Sequence, residues 1–132
     1  MGEHPDSALI RQGYEAFTKG DMDTLATLLT SDCVHHVPGN SPISGHHKGR
    51  DTCLRLYRRL HEETGGTLRI DVKHILADGR GHVISVHKFY ADRKDRGLEM
   101  HEGMFFTIVG GKISDIDECH DDIEASDAFW RS

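Results

Sequence analysis

The segment KISDIDECH, residues 112–120, alternates apolar and polar side chains. At the period of a strand, Ser114, Ile116, Glu118 and His120 share one face, and Ile113, Asp115, Asp117 and Cys119 share the other. A carboxylate and an imidazole two residues apart on one face can reach a common substrate. Such a pair is equipment for general acid/base catalysis. The alternation leaves open which face turns inward. A second segment, VISVHKFYADR, sets His87 on a face with Val83, Ser85 and Phe89. An imidazole among apolar neighbours is either a hydrogen-bonded core residue or part of a pocket. A third, SDCVHHVPGN, carries His35 and His36 side by side, and neighbours in a strand point to opposite faces.

The chain has 11 histidines, and His normally titrates near neutral pH. Two adjacent pairs, His35-His36 and His46-His47, make no chelate by themselves, because neighbouring strand residues diverge. No H-E-x-x-H or CxxC spacing is present, so no metal is expected. Adventitious nickel or zinc would go to the His46-His47 loop. There is no G-x-S-x-G nucleophile motif and no G-x-G-x-x-G between a strand and a helix, so no dinucleotide or other cofactor is expected.

These groups must be positioned by helices followed by strands. Asp6 or Ser7 is expected to cap a first helix bearing Leu9, Ile10, Tyr14 and Phe17, ended by Lys19-Gly20. Asp21 caps a short second helix with Met22, Leu25, Leu28 and Leu29 on its apolar face. CVHHV reads as a strand stopped by Pro38-Gly39, and NSPISGHHKG as a loop. RDTCLRLYRRLHEETGG is an amphipathic helix with Cys53, Leu54, Tyr57 and Leu60 inward, and its basic residues form a solvated face. After Gly66 the period changes to two. Four strands are expected, the last pair joined at Gly110-Gly111, and then a short helix or tail packing Phe129 and Trp130. Helices first and antiparallel strands after make an α+β domain, with helices on one face of a sheet.

The length, 132 residues, suits a single domain over residues 1–132. An apolar fraction of 36% and a charged fraction of 29% are ordinary for a soluble chain. A net charge of -6 argues against nucleic acid as a partner. No apolar run reaches membrane-spanning length, and the N-terminus shows no signal-peptide pattern, so no membrane partner is expected. Three cysteines, Cys33, Cys53 and Cys119, form no disulfide framework, and a cytoplasmic location is expected.

The order of elements, together with GDMDTL, HHVPGNSPISGHHKGRD, VISVHKFYADR, GGKISDIDE and DAFW, resembles the nuclear transport factor 2-like superfamily. Within it the chain is most similar to the SnoaL-like group, related to polyketide cyclases and ketosteroid isomerase. The resemblance covers nearly the whole chain. It implies a cone in which a curved antiparallel sheet wraps around N-terminal helices and encloses one pocket for a small apolar organic molecule. It also implies a homodimer through the outer face of the sheet. Some relatives are enzymes and others are ligand-binding or scaffold modules.

Ketosteroid isomerase chemistry needs a carboxylate base and an oxyanion hole of Tyr and neutral acid; that enzyme is a standard worked case of tuned acidity. The resemblance places the base at Val37, the Tyr at Gly13 beside Tyr14, and the acid at Met104, so a standard isomerase is not expected. It places the acid/base carboxylate of the cyclases at Glu118 and their partner histidine at Met104, with Glu102 as the nearest polar substitute. Glu118 is therefore the candidate catalytic residue. Its setting beside Met104 and Ile116 predicts a raised pKa. His35 is expected to turn inward with Val37, and His36 outward. His35, His87, Glu102 and His120 are candidate orienting groups, and Tyr14, Tyr57, Val37, Met104 and Ile116 candidate walls. The reaction classes implied are isomerisation, cyclisation or hydrolysis.

Overall fold

The computed structural model describes residues 2–131. It contains α1 (Pro5–Lys19), α2 (Met22–Leu28), β1 (Leu29–Val37), β2 (Gly45–Lys48), α3 (Arg50–Glu63), β3 (Arg69–Ala77), β4 (His82–Arg93), β5 (Arg96–Val109), β6 (Lys112–His120) and α4 (Ile123–Trp130). The strands form one six-stranded sheet in the order β2-β1-β6-β5-β4-β3, curved and not closed into a barrel. Helices α1 and α3 cover one face, α1 against β3 and β4, and α3 against β1 and β2.

Local chemistry sets the ends of these elements. Pro5 occupies the first turn of α1, where its missing N–H costs nothing. The cap is His4, whose Nδ1 accepts from the Asp6 amide at 3.1 Å, rather than the expected Asp6 or Ser7. At the other end Gly20 takes φ 69°, which lets its amide reach Phe17 O and the Asp21 amide reach Ala16 O. Asp21 then caps α2 through the Thr24 amide. The β5–β6 hairpin turns on Gly110 and Gly111, both at positive φ as a two-residue turn of this hand requires.

Two features differ from the expected pattern. The sheet is not wholly antiparallel: β1 runs parallel to β6, with His35 opposite Ile116 and His36 opposite Asp117. This pairing joins the segment between the first helices to the end of the last strand, which a linear alternation pattern cannot show. The Gly/Ser-rich loop also contains β2, which pairs antiparallel with β1 and sets His46 opposite His36.

The core lies between helices and sheet. Ile10, Leu25, Leu29, Cys53, Val83, Met100, Phe106 and Ile116 are among its buried apolar residues. At roughly 25 cal/mol per Å² of apolar surface, burial of each large side chain contributes about 1.5–3 kcal/mol. Helix α4 packs Phe129 and Trp130 into this core. Arg93 donates to Phe129 O and Arg131 O at 3.1 and 2.8 Å, and the Asn40 amide donates to Asp127. The close approach of Asp127 is why residue 39 is glycine: φ is 91° there, and a Cβ would collide with Asp127 Oδ1.

Candidate active site

The concave side of the sheet, together with α1, α3 and α4, encloses a largely apolar cavity of about 100 Å³. Its walls include Ile10, Phe17, Leu56, Phe89, Phe106 and Trp130. Of the residues singled out from the sequence, Tyr14, His35, Val37, Tyr57, Glu102, Met104, Ile116, Glu118 and His120 line it. The face of β6 that the sequence left ambiguous is thereby resolved: Ile116, Glu118 and His120 look inward, while Asp117 and Cys119 are exposed. His87 does not line the cavity. It is fully buried one layer behind the wall, because its inward face on β4 lies beneath Tyr14 and Glu102.

The polar groups of this wall form one continuous chain. Tyr14 Oη is 2.7 Å from His87 Nδ1, and His87 Nε2 is 2.6 Å from Glu102 Oε1. Glu102 Oε2 is 3.1 Å from His120 Nε2, which is 2.5 Å from Glu118 Oε2. Glu118 Oε1 is 2.8 Å from His35 Nε2, and His35 Nδ1 is 2.8 Å from Tyr57 Oη. Carboxylates only accept, so both outer imidazoles carry their proton on Nε2. Each Nδ1 faces a tyrosine hydroxyl at hydrogen-bond distance. The result is two Tyr–His–Glu arms, Tyr14–His87–Glu102 and Tyr57–His35–Glu118, joined at His120. Ser85, which the sequence placed on the face of His87 without a role, extends the first arm through Tyr14 Oη at 2.6 Å.

Register explains why these residues meet. Glu102 is paired with His87 on one side and with His120 on the other. Glu118 is paired with Met104 and is two residues from Ile116, the partner of His35 on β1. Tyr57 comes from α3 and Tyr14 from α1, so every layer contributes.

The electrostatics run opposite to the expectation for Glu118. Burial pushes its pKa up, but hydrogen bonds from His120 and His35, and their charges, outweigh burial and hold it at about 2. His120 is the counterpart. Burial disfavours its charge, but the hydrogen bonds to Glu102 and Glu118 raise it to about 10. Glu118 and His120 thus form an ion pair within the wall. Burial also raises Tyr14 and Tyr57, which keeps both phenols protonated as donors. His120 Nδ1 is buried without a partner, while Nε2 serves both carboxylates.

Among the described residues, two groups bring metal-ligand atoms within 4.8 Å of one another: Glu102, Glu118 and His120 inside, and His36, Asp115 and Asp117 on the outer face. In the inner group both carboxylates share the single His120 Nε2–H.

The model of the SnoaL-like domain matches residues 10–116. The chain belongs to the SnoaL-like domain family. This SnoaL-like domain is 28% identical over 130 residues to the uncharacterized protein Rv0034 of Mycobacterium tuberculosis, covering 98% of this chain and 99% of that one. Among solved structures it is similar to Bal32a from a soil-derived mobile gene cassette, with 36% identity, a TM-score of 0.94, and 96% and 97% of the two chains covered. A nuclear transport factor 2-like protein of Burkholderia xenovorans LB400 superposes with a TM-score of 0.81 at 21% identity, covering 98% of each chain. That likeness establishes the fold alone. Among the described residues, no helix of this SnoaL-like domain is long and apolar enough to cross a membrane.

Proposed function

We propose that this protein is an enzyme that carries out general acid/base chemistry on a small, neutral, largely apolar organic molecule, by isomerisation, cyclisation or hydrolysis. The observation that carries this reading is the hydrogen-bonded chain of carboxylates and imidazoles set into an otherwise apolar cavity. Glu118 is ionised at neutral pH, the state a base requires. A carboxylate held this low is a weak base, so the substrate must be acidified as its proton leaves. His120 meets that need: its imidazolium, next to Glu118, stabilises negative charge developing on a substrate oxygen. His35 and His87 orient the carboxylates, and the apolar wall excludes water. Val37 and Met104 hold no acid or base at the isomerase positions, so the chemistry runs through β5 and β6. Carboxylates lining the cavity disfavour an anionic ligand.

The reading extends to the whole chain as a single domain, to a cytoplasmic location in keeping with its free cysteines, and to pairing with a second copy. Leu76, Ile84, Phe105 and Val109 are exposed apolar residues of β3–β5, with Leu76, Ile84 and Phe105 in one cross-strand row.

A thermal-shift screen of neutral aromatic and alicyclic ketones, quinones and lactones tests the function. A ligand at about 100 times its Kd stabilises the fold by about 2.7 kcal/mol. Each stabilising compound is then incubated with wild type and with Glu118→Gln, and products are read by mass spectrometry. Conversion by wild type, lost in the variant, is the expected result. Equal conversion by Glu118→Gln removes that residue from the mechanism, and binding without conversion by wild type makes the protein a ligand carrier.

A further inference from the structure

We propose that His36, Asp115 and Asp117, on the outer face of the sheet, bind a divalent transition-metal ion of the zinc class, with His46 holding the liganding imidazole in place. Nothing in the acid/base chemistry of the cavity uses these residues, which lie on the opposite side of the sheet.

Register assembles the site. His36 on β1 is paired with His46 on β2 and with Asp117 on β6, and Asp115 lies two residues from Asp117 on the same face. Cross-strand partners on one face stand about 5 Å apart at Cβ. His46, His36 and Asp117 therefore form a row across three strands. The adjacent pair His46-His47 does not act together, since His47 Nε2 is bonded to Ile43 O at 2.8 Å.

The spacing of the donor atoms suits a cation. His36 Nε2 is 3.3 Å from both carboxylate oxygens of Asp115, a long hydrogen bond to Oδ2 included, and 3.8 Å from Asp117 Oδ1. A charge-assisted imidazole–carboxylate bond is about 2.7–2.9 Å long. Donor atoms about 2.0–2.2 Å from a zinc ion, at a tetrahedral angle, stand about 3.4 Å apart. The observed separations bracket the second value and exceed the first. On the far side of the ring, His36 Nδ1 is in hydrogen-bond contact with His46 Nδ1. The tautomer with the proton on His36 Nδ1, donated to His46, turns the Nε2 lone pair toward the aspartate oxygens and presents three donor atoms to a cation. A liganding imidazole held by its second nitrogen in this way is the usual support of a metal site. Asp32 and Thr107 border the same hollow, so the local field is negative and the fourth coordination position opens to solvent. One imidazole and two carboxylates suit zinc-class ions better than soft ones.

The test is isothermal titration of chelator-stripped full-length protein with Zn²⁺ at pH 7.5, in a buffer that does not bind zinc. Saturation at one ion per chain is expected. His36→Ala and Asp117→Asn should each lower affinity at least tenfold, His46→Ala less, and His47→Ala should leave it unchanged. Circular dichroism and thermal melts of each variant show whether the fold is intact. Co²⁺ in place of Zn²⁺ should give visible d–d bands of four-coordinate intensity, lost in His36→Ala. No saturable binding up to about 1 mM, which is near -4 kcal/mol, overturns the proposal. Binding weakened as much by His47→Ala as by His36→Ala means an adventitious ion only and overturns it as well.

Discussion

The two faces of β6 carry the same ingredients in different arrangements. Inside, His120 lies between Glu102 and Glu118 at 3.1 and 2.5 Å. Outside, His36 lies against Asp115 and Asp117 at 3.3 and 3.8 Å. The inner imidazole side chain is 2% exposed, and the outer one 29%. Inside, the charges are largely buried and paired through His120 Nε2, its Nδ1 has no partner, and each Glu is bonded from behind by a further histidine. Outside, water and salt screen the charges, His36 makes one long hydrogen bond to Asp115 Oδ2 at 3.3 Å, and Asp117 lies beyond hydrogen-bond reach. The same residue types thus make a rigid proton-holding chain on one face and an open ligand set on the other. Burial and distance, not composition, separate the two.

The largest effect that would break this contrast comes from removing one carboxylate on each face. Glu118→Ala leaves the buried N–H groups of His35 and His120 without that acceptor. Breaking a buried pair from one side costs about 3–5 kcal/mol. Asp117→Ala removes a half-exposed partner, and surface pairs contribute about 0–1 kcal/mol. Urea unfolding of the two variants in metal-free buffer should show this gap. Equal losses would mean that the inner chain is as solvated as the outer cluster.

The next effect is in pH. His120 has a folded pKa raised to about 10 from an ordinary 6.5, so its contribution is complete below 6.5 and is lost as pH rises toward 10. Glu118 is depressed from 4.5 to about 2, so its contribution is complete above 4.5 and is lost as pH falls toward 2. Both contributions are full only between these two ordinary values. The wild-type Tm should therefore fall between pH 6.5 and 10 by on the order of 5 °C more than that of His120→Asn. His36→Asn should retain the wild-type slope, because its partners are partly exposed.

Much of this was legible along the chain. Alternation after Gly66 and the helical stripes before it identify the elements, and period two groups Glu118 with His120. The strand pairing was not legible where it is long-range. The parallel contact of β1 with β6 brings His35 to Glu118, and that contact reverses the direction expected for the Glu118 pKa. Apolar neighbours alone would raise it; two imidazole donors override them. His87 shows a subtler limit. Its face was readable, but Tyr14 and Glu102 in front of it, which separate it from the cavity, come from α1 and β5. The outer cluster was invisible to ligand spacing because His46, His36 and Asp117 become neighbours only across strands.

The smallest effect sharpens the inner half of the comparison, since it asks whether two arms joined at His120 behave as one unit. Tyr14→Phe and Tyr57→Phe each remove a phenol O–H and leave a buried His Nδ1 without that partner. Each should cost about 1–3 kcal/mol, the usual cost of leaving a buried polar group unpaired. The two hydroxyls end opposite arms and share no direct partner. If the arms were independent, the double variant would lose the sum of the two within about 0.5 kcal/mol. A connected chain behaves differently. Losing one phenol frees its His to shift toward its Glu, which changes how that carboxylate competes for the single Nε2–H of His120, and so what the other arm receives. A coupling energy above about 0.5 kcal/mol in the double-mutant cycle is expected. Additivity would divide the chain into two separate triads that merely touch the same imidazole.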